Sequence, residues 1–212
     1  TAAAAAVLGA AGADLVGGHT SVGAELSIGF TITGLAARPV AKGPPRPGDA
    51  LILTRPLGSG VVLAAEMARR RLPGRGLMLG EAVAGALELM QRPGGAAAAL
   101  LALEAHAMTD VTGFGLAGHL AEMLGEGAVA AQIALGAVPF LAGAVELAGA
   151  GVASSLHPAN RQLGRAMALP GDIRAELLFD PQTAGGFLAA LPATAAERTL
   201  CALHALGEPA AI

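Results

Sequence analysis

A proline-rich stretch divides the chain and limits what each side of it can fold into. Residues 36–48 (AARPVAKGPPRPG) contain four prolines and show almost no apolar periodicity. Proline lacks the backbone N–H that helices and sheets use, and it also restricts the residue before it. We therefore expect a domain boundary here, with residues 1–40 ending one domain and residues 46–212 forming another.

The segment before these prolines predicts a helix followed by strands. Thr1–Ala11 is alanine-rich and helix-like, Asp14–Val16 begins a strand, and Leu26–Leu35 (LSIGFTITGL) alternates and is rich in β-branched residues. Such alternation is typical of a strand with one buried face. Because the chain begins without Met and directly inside a helix-like run, we expect it to be a fragment of a longer protein.

The segment after the prolines mixes helical and strand patterns without regular alternation. Strands are predicted at 49–54, 131–135 and 187–191, and helices at 61–71, 79–91, 95–107, 116–124, 142–150 and 194–206. Regular βαβ units, which build doubly wound parallel sheets, are not apparent. The pattern therefore predicts an α+β fold.

Composition argues against nucleic-acid and membrane partners. Hydrophobic residues make up 54% of the chain, which allows a substantial core, but aromatic residues make up only 2%, so bases have few rings to stack on. The net charge is −3, and Arg69-Arg70-Arg71 is the one basic cluster. No apolar run approaches the roughly 20 residues that cross a bilayer. The alanine-rich opening lacks the basic start of a signal peptide, so a cytoplasmic protein is predicted.

The single cysteine, Cys201, excludes an internal disulfide and a thiolate metal cluster. It lies in an apolar, helix-like stretch, which predicts a buried structural thiol. Neither Cys201 nor Ser154-Ser155 has a neighbouring His–Asp pattern, so no covalent catalyst is predicted in this chain.

The segment Thr109–His119 (TDVTGFGLAGH) carries the clearest chemistry. Asp110 can offer a hard oxygen to Mg²⁺, and the glycines can leave backbone amides free at the start of a helix, where anions bind. In a structural alternative, Asp110 or Thr112 caps the helix and the glycines allow close packing. His119 can line a site, although a packed or surface histidine is favoured. The residues alone leave these alternatives open.

The same letters contain G-x-G-x-x-G at Gly113, Gly115 and Gly118. This dinucleotide-binding fingerprint requires a strand before the first glycine and an acidic residue about 20 positions further on. Residues 96–107 look helical, and the window around 136–140 holds no acidic residue. Dinucleotide binding is therefore disfavoured.

Two further glycine-bearing segments accompany this motif. Paired glycines at Gly17-Gly18 let a backbone approach a ligand closely, and His19 can contact a phosphate or a base edge, although an ordinary turn is favoured for this segment taken alone. In the loop Asp180–Gly186 (DPQTAGG), a turn-forming role for Asp180 is favoured over a second metal ligand.

Taken in order, these segments resemble selenophosphate synthetase, also called selenide, water dikinase. The resemblance is carried by residues 15–34, 48–60, 108–124 and 178–186 (LVGGHTSVGAELSIGFTITG, GDALILTRPLGSG, MTDVTGFGLAGHLAEML and LFDPQTAGG) and runs from about residue 8 to 207. The GGHTSVGAEL form and SSLHPANRQL (154–163) are most similar to the bacterial version fused behind a flavin-dependent, NADH-dehydrogenase-like oxidoreductase.

The resemblance implies the fold of the aminoimidazole ribonucleotide synthetase superfamily, with two α+β domains, pairing of the first domain in a homodimer, and ATP held in the cleft. Residues 1–40 would end the N-terminal ATP-binding and dimerisation domain, and residues 46–212 would form the C-terminal domain. The implied reaction converts ATP, selenide and water to selenophosphate, AMP and phosphate with Mg²⁺. By the same resemblance, Gly17, Gly18 and His19 contact ATP from the neighbouring subunit, and Asp110 binds Mg²⁺.

This sequence also departs from the family. The family's nucleophile (cysteine or selenocysteine), its partner lysine and the aspartates that hold the other Mg²⁺ ions have no counterpart here, and Arg55 stands where many relatives have lysine. We therefore expect the 212-residue chain to be inactive by itself. The alternatives are another ATP-using member of the superfamily, of the hydrogenase-maturation or thiamine-phosphate kinase type, and a non-catalytic dimerisation or docking module.

Overall fold

The computed structural model describes residues 2–74, 76–126 and 129–212, with no side-chain description at 165 and 166. The chain forms two compact units, one ending at Pro39 and one running from Val40 to Ile212. The elements are α1 (Ala2–Ala10), β1 (Asp49–Leu53), α2 (Ser59–Met67), α3 (Leu79–Met90), α4 (Gly95–Ala102), β2 (Ala107–Asp110), α5 (Gly115–Leu124), α6 (Ala144–Gly149), α7 (His157–Arg161), α8 (Ile173–Glu176), β3 (Phe187–Pro192) and α9 (Ala193–Ala205), with 3₁₀ turns at Gln162–Ala166 and Leu177–Phe179. No helix in the described ranges is long and apolar enough to cross a membrane.

The first unit contains the predicted helix α1 but not the predicted strands. The backbone at Asp14–Val16 and Leu26–Leu35 forms no strand pairing in the described residues. The apolar residues of the alternating stretch are exposed, with Phe30 at 62%. The strand prediction was wrong because alternation identifies a suitable side-chain pattern, whereas a strand also needs a neighbouring backbone to complete its hydrogen bonds.

The second unit is built on a three-stranded antiparallel sheet in the order β1-β3-β2. β3 is central, and its residues between Phe187 and Pro192 are buried, as the short apolar run predicts for a strand covered on both faces. Leu188 and Ala190 face a core that includes α5, whereas Ala189 and Leu191 face α4 and α9. Helices packed on an antiparallel sheet confirm the α+β fold.

The predicted helix at 95–107 is shorter in the structure. α4 ends at Ala102, and Ala107–Asp110 pairs with β3 as strand β2, because tertiary pairing overrides the helical preference of alanine. A strand therefore does precede Gly113, which corrects one argument against dinucleotide binding. Dinucleotide binding is still disfavoured, because β2 runs antiparallel to β3 and the window around 136–140 holds no acidic residue.

Two other predictions need correction. The strand predicted at 131–135 does not form. Its alternating Ala131, Ile133 and Leu135 instead pack against the α5 side of the core without joining the sheet. Cys201 is exposed rather than buried, because the buried face of α9 repeats at helical spacing (Ala195, Ala196, Thr199 and Leu203) and position 201 falls outside it.

Candidate functional site

Asp110 lies at the end of β2, where pairing with Phe187 stops. The residue is exposed, and within the described ranges its carboxylate accepts no hydrogen bond from protein. The helix-capping alternative does not hold, because the N-cap residue of α5 is Phe114 and no side-chain cap hydrogen bond forms there among the described residues. The Asp110 carboxylate is therefore available to a cation.

The loop that follows, Val111–Gly113, is held by hydrogen bonds from two distant segments. The Val111 amide donates to the Gly186 carbonyl at 2.8 Å, and the Thr112 carbonyl accepts from the Gln182 amide at 2.9 Å. The Gly113 carbonyl accepts from the Asn160 side chain at 2.8 Å. These contacts fix the backbone beside Asp110 before any ligand arrives.

The three glycines of the motif have different roles. Gly115 has φ of +68°, and a Cβ there would lie 2.6 Å from the Leu178 carbonyl oxygen. A Cβ at Gly118 would lie 2.6 Å from Phe114 Cβ, so both positions serve close packing. Gly113, in contrast, has nothing within 4 Å of a Cβ position. The open side of the loop is therefore at Gly113.

Gln182 joins the loop Asp180–Gly186 to the start of α2. Its Oε1 accepts from the amides of Gly58 and Ser59 at 3.0 and 3.2 Å and from the Ser59 hydroxyl at 3.1 Å. The side chain is buried at 5% exposure, so these bonds form away from water. Gln182 thereby caps α2 from more than 120 positions away, a role that no local sequence signal indicates.

Asp180 caps the same helix. Its carboxylate accepts from the Gly60 amide at 3.0 Å and from the Gln182 side chain at 3.1 Å. Burial raises the pKa of Asp180 to about 6, against the opposing effect of these hydrogen bonds. His157 and Glu176 lie with Asp180 around a cavity of about 150 Å³. The structure therefore commits this carboxylate to protein contacts.

Arg55 contacts the loop 180–186 near its C-terminal end, at Ala184. Its guanidinium contacts the Glu208 carboxylate at 3.3 and 3.5 Å and donates to the carbonyls of Arg92 at 2.8 Å and Ala184 at 3.3 Å. The residue is 4% exposed. Because these acceptors lie in different directions, the planar fork of arginine satisfies them and the single nitrogen of lysine cannot.

The predicted ATP-contacting residues Gly17, Gly18 and His19 lie in the first unit, in an exposed and extended segment. Gly18 has φ of +154°, which favours glycine, and a Cβ at either glycine would meet nothing within 4 Å. The backbone of this segment is thus accessible to a ligand. These residues belong to a different unit from Asp110.

The described residues offer Mg²⁺ few protein donors near Asp110. Among the described residues, no three His, Cys, Asp or Glu side chains gather into a metal-binding group. Mg²⁺ is commonly held by only one or two carboxylates together with substrate phosphates and waters. The Asp110 carboxylate can therefore serve as one protein ligand of a Mg²⁺ ion that is also bound by phosphate oxygens.

The chain is similar to proteins of a known family. Residues 46–212 match the family described as AIR synthase related protein, C-terminal domain. The chain belongs to this family. It is 43% identical over 190 residues to the selenide, water dikinase of Geobacter metallireducens, covering 85% of this chain and 52% of that protein. It is 37% identical over 206 residues to that of Nitratidesulfovibrio vulgaris, covering 94% and 57%.

The AIR synthase-related chain thus spans about half the length of the relatives it matches. It also resembles the crystal structure of thiamine-monophosphate kinase from Stenotrophomonas maltophilia K279a, with a TM-score of 0.53 and 17% identity over 82% of this chain and 49% of that one. At this identity the likeness shows the fold alone. In this AIR synthase-related domain, the loop 180–186 joins the Asp110 motif to the start of α2.

Proposed function

We propose that the protein containing this chain synthesises selenophosphate from selenide and water, using ATP and releasing AMP and phosphate. The observation that carries this proposal is the 43% identity to a selenide, water dikinase over 190 residues. The site supports it, because the Asp110 carboxylate, which no described residue contacts by a hydrogen bond, stands beside a loop that is fixed on one side and open at Gly113.

In this proposal Asp110 binds a Mg²⁺ ion that accompanies the ATP phosphates, and the Gly17, Gly18 and His19 that contact this ATP come from the neighbouring subunit. When bound, the ion neutralises the charge of the phosphates during transfer. The chain's own residues position the reactants: the hydrogen bonds to Val111–Gly113 hold the end of β2 in place. The accessible backbone at Gly17-Gly18 can turn amides toward a phosphate.

We further propose that the 212-residue chain is inactive by itself and contributes no catalytic residue. Its single cysteine, Cys201, lies on the exposed side of α9, and the described residues hold no cluster of metal-binding side chains. A homodimer and a fused flavin-dependent oxidoreductase domain are carried over from the resemblance, a cytoplasmic location is carried over from the sequence prediction, and all three belong to the same proposal. Turnover of ATP with selenide by the 212-residue chain, abolished by Asp110→Asn, would contradict its inactivity.

The test uses the full-length protein and measures nucleotide products by chromatography with and without selenide. We expect selenide-dependent release of AMP, lost in Asp110→Asn and retained in Asp172→Asn, which removes a carboxylate at the start of α8. ADP as the sole nucleotide product would instead favour a kinase of the thiamine-phosphate or hydrogenase-maturation type. No binding of Mg·ATP in calorimetry would favour a docking module.

A further inference from the structure

His119 is a buried side chain that touches the Asp110 motif and has no role in the function proposed above. It lies in α5 at 5% exposure, and the ring of Phe114 covers it with centroids 5.5 Å apart. Its Nε2 lies 3.2 Å from the Thr112 hydroxyl oxygen. From its buried position in α5, His119 therefore contacts the side chain of Thr112, two positions after Asp110.

The other ring nitrogen of His119 faces a negative charge. Nδ1 lies 3.2 Å from a carboxylate oxygen of Glu122, although this contact lacks hydrogen-bond alignment and Nδ1 has no hydrogen-bond partner in the described residues. The same carboxylate oxygen lies 2.9 Å from Lys42 Nζ, and the hydrogen bond from Lys42 lowers the pKa of Glu122. The carboxylate charge therefore favours the tautomer with its proton on Nδ1.

This tautomer decides what Thr112 can bind. A neutral imidazole with its proton on Nδ1 has a lone pair on Nε2, so Nε2 accepts the hydroxyl proton of Thr112. A threonine hydroxyl has one proton and two lone pairs. Once the proton is committed to His119, the oxygen can act only as an acceptor, which suits a cation and not a phosphate oxygen.

Thr112 follows Asp110 by two positions and, like Asp110, is not buried. Thr109 and Val111 are buried, whereas Asp110 is exposed and Thr112 is half-buried, so accessibility alternates from the end of β2 into the loop. The backbone between them is fixed by Gly186 and Gln182. Serine and threonine hydroxyls bind Mg²⁺ beside substrate phosphates in other nucleotide-binding loops.

We propose that Thr112 supplies a neutral oxygen ligand beside Asp110 for the divalent cation, and that His119 is a positioning residue that holds the hydroxyl proton away from the ion. This inference rests on the proposed Mg²⁺ site at Asp110. It adds a ligand from this chain and explains why a buried imidazole contacts the motif.

The test measures binding of Mn²⁺ to the full-length protein with a non-hydrolysable ATP analogue, from the electron paramagnetic resonance signal of free Mn²⁺. Thr112→Val removes the hydroxyl and His119→Leu removes its acceptor. Each should weaken Mn²⁺ binding by about tenfold, the lower end of the range for residues that orient metal ligands. Thr112→Ser and His119→Gln, which keep an oxygen ligand and an acceptor, should each lose clearly less than the roughly tenfold expected of the first two variants.

The double variant Thr112→Val/His119→Leu should bind Mn²⁺ no more weakly than either single variant, because both changes remove one interaction. The control is His106→Leu at the opposite end of β2, where the imidazole contacts Asp49 at 2.9 Å, and it should leave Mn²⁺ affinity unchanged. Circular dichroism of every variant separates loss of the site from loss of the fold.

Wild-type Mn²⁺ affinity in Thr112→Val would overturn the inference, and additive losses in the double variant would overturn the role of His119. Asp110→Asn in the same assay separates this outcome from failure of the proposed function. If Asp110→Asn weakens binding and Thr112→Val does not, only the inference fails. If neither weakens binding, the Mg²⁺ site at Asp110 fails as well.

Discussion

The buried ion pair between Arg55 and Glu208 provides a direct test of how the second unit holds its loop at 180–186. The two side chains are only 5% and 9% exposed, and their closest atoms, Nε and Oε2, are 3.3 Å apart. Glu208→Gln removes the charge with little change in volume. Arg55 then keeps the Arg92 and Ala184 carbonyls as acceptors, at 2.8 and 3.3 Å.

The expected cost follows from this geometry. Removing one partner of a buried ion pair costs about 3–5 kcal/mol, because the remaining charge loses its compensation. The contacts to Glu208 are long and two carbonyl acceptors remain, so we expect a loss of about 2–3 kcal/mol in the free energy of unfolding. For a domain of this size, that corresponds to a fall in Tm of about 5–10 °C.

The assay is thermal and urea unfolding followed by circular dichroism, with Glu104→Gln as the control. Glu104 lies 2.7 Å from Arg198, a shorter contact than that of Glu208, but these side chains are 39% and 65% exposed. An exposed pair contributes only about 0.2–1 kcal/mol. If burial decides the cost, Glu208→Gln must be clearly more destabilising than Glu104→Gln. Equal losses in the two variants would refute the reasoning.

Three further predictions concern the residues around the motif. Because the pKa of Asp180 is raised to about 6 in the folded protein, its contribution to stability is complete below pH 3.8 and is lost as the pH rises through 6. Relative to Asp180→Asn, the wild-type free energy of unfolding should therefore fall by about 2 kcal/mol between pH 4 and pH 7 in urea titrations, and parallel curves would contradict this. Gln182→Leu should lose about 2–3 kcal/mol in urea unfolding by leaving the Gly58 and Ser59 amides unpaired, whereas exposed Gln132→Leu should lose almost nothing. Asn160→Asp should lose about 1–3 kcal/mol in the same assay because a carboxylate cannot donate to the Gly113 carbonyl, and unchanged stability would exclude that role.

Local sequence patterns predicted several elements of the fold because the physical cause of each element is local. The apolar run at 187–191 is compatible only with a covered strand or helix of that length, and the helical spacing after Gly115 places α5 correctly. The strand β2 was missed because Ala107–Asp110 follows an alanine-rich helix, and its pairing with β3 joins residues about 80 positions apart. Pairing between distant segments leaves no local periodicity to read.

The candidate site likewise has features that the sequence predicted and features that only the tertiary structure decided. The sequence alone determined the position of Asp110, the glycines around it and the family, because these depend on residue types at short spacing. Only the tertiary structure decided that Gln182 caps α2, that Arg55 spans three acceptors and that His119 holds the Thr112 hydroxyl. Each of these depends on the direction of a hydrogen bond, and most join groups far apart in the chain. Such directions are set by packing around the sheet, which residue order does not encode locally.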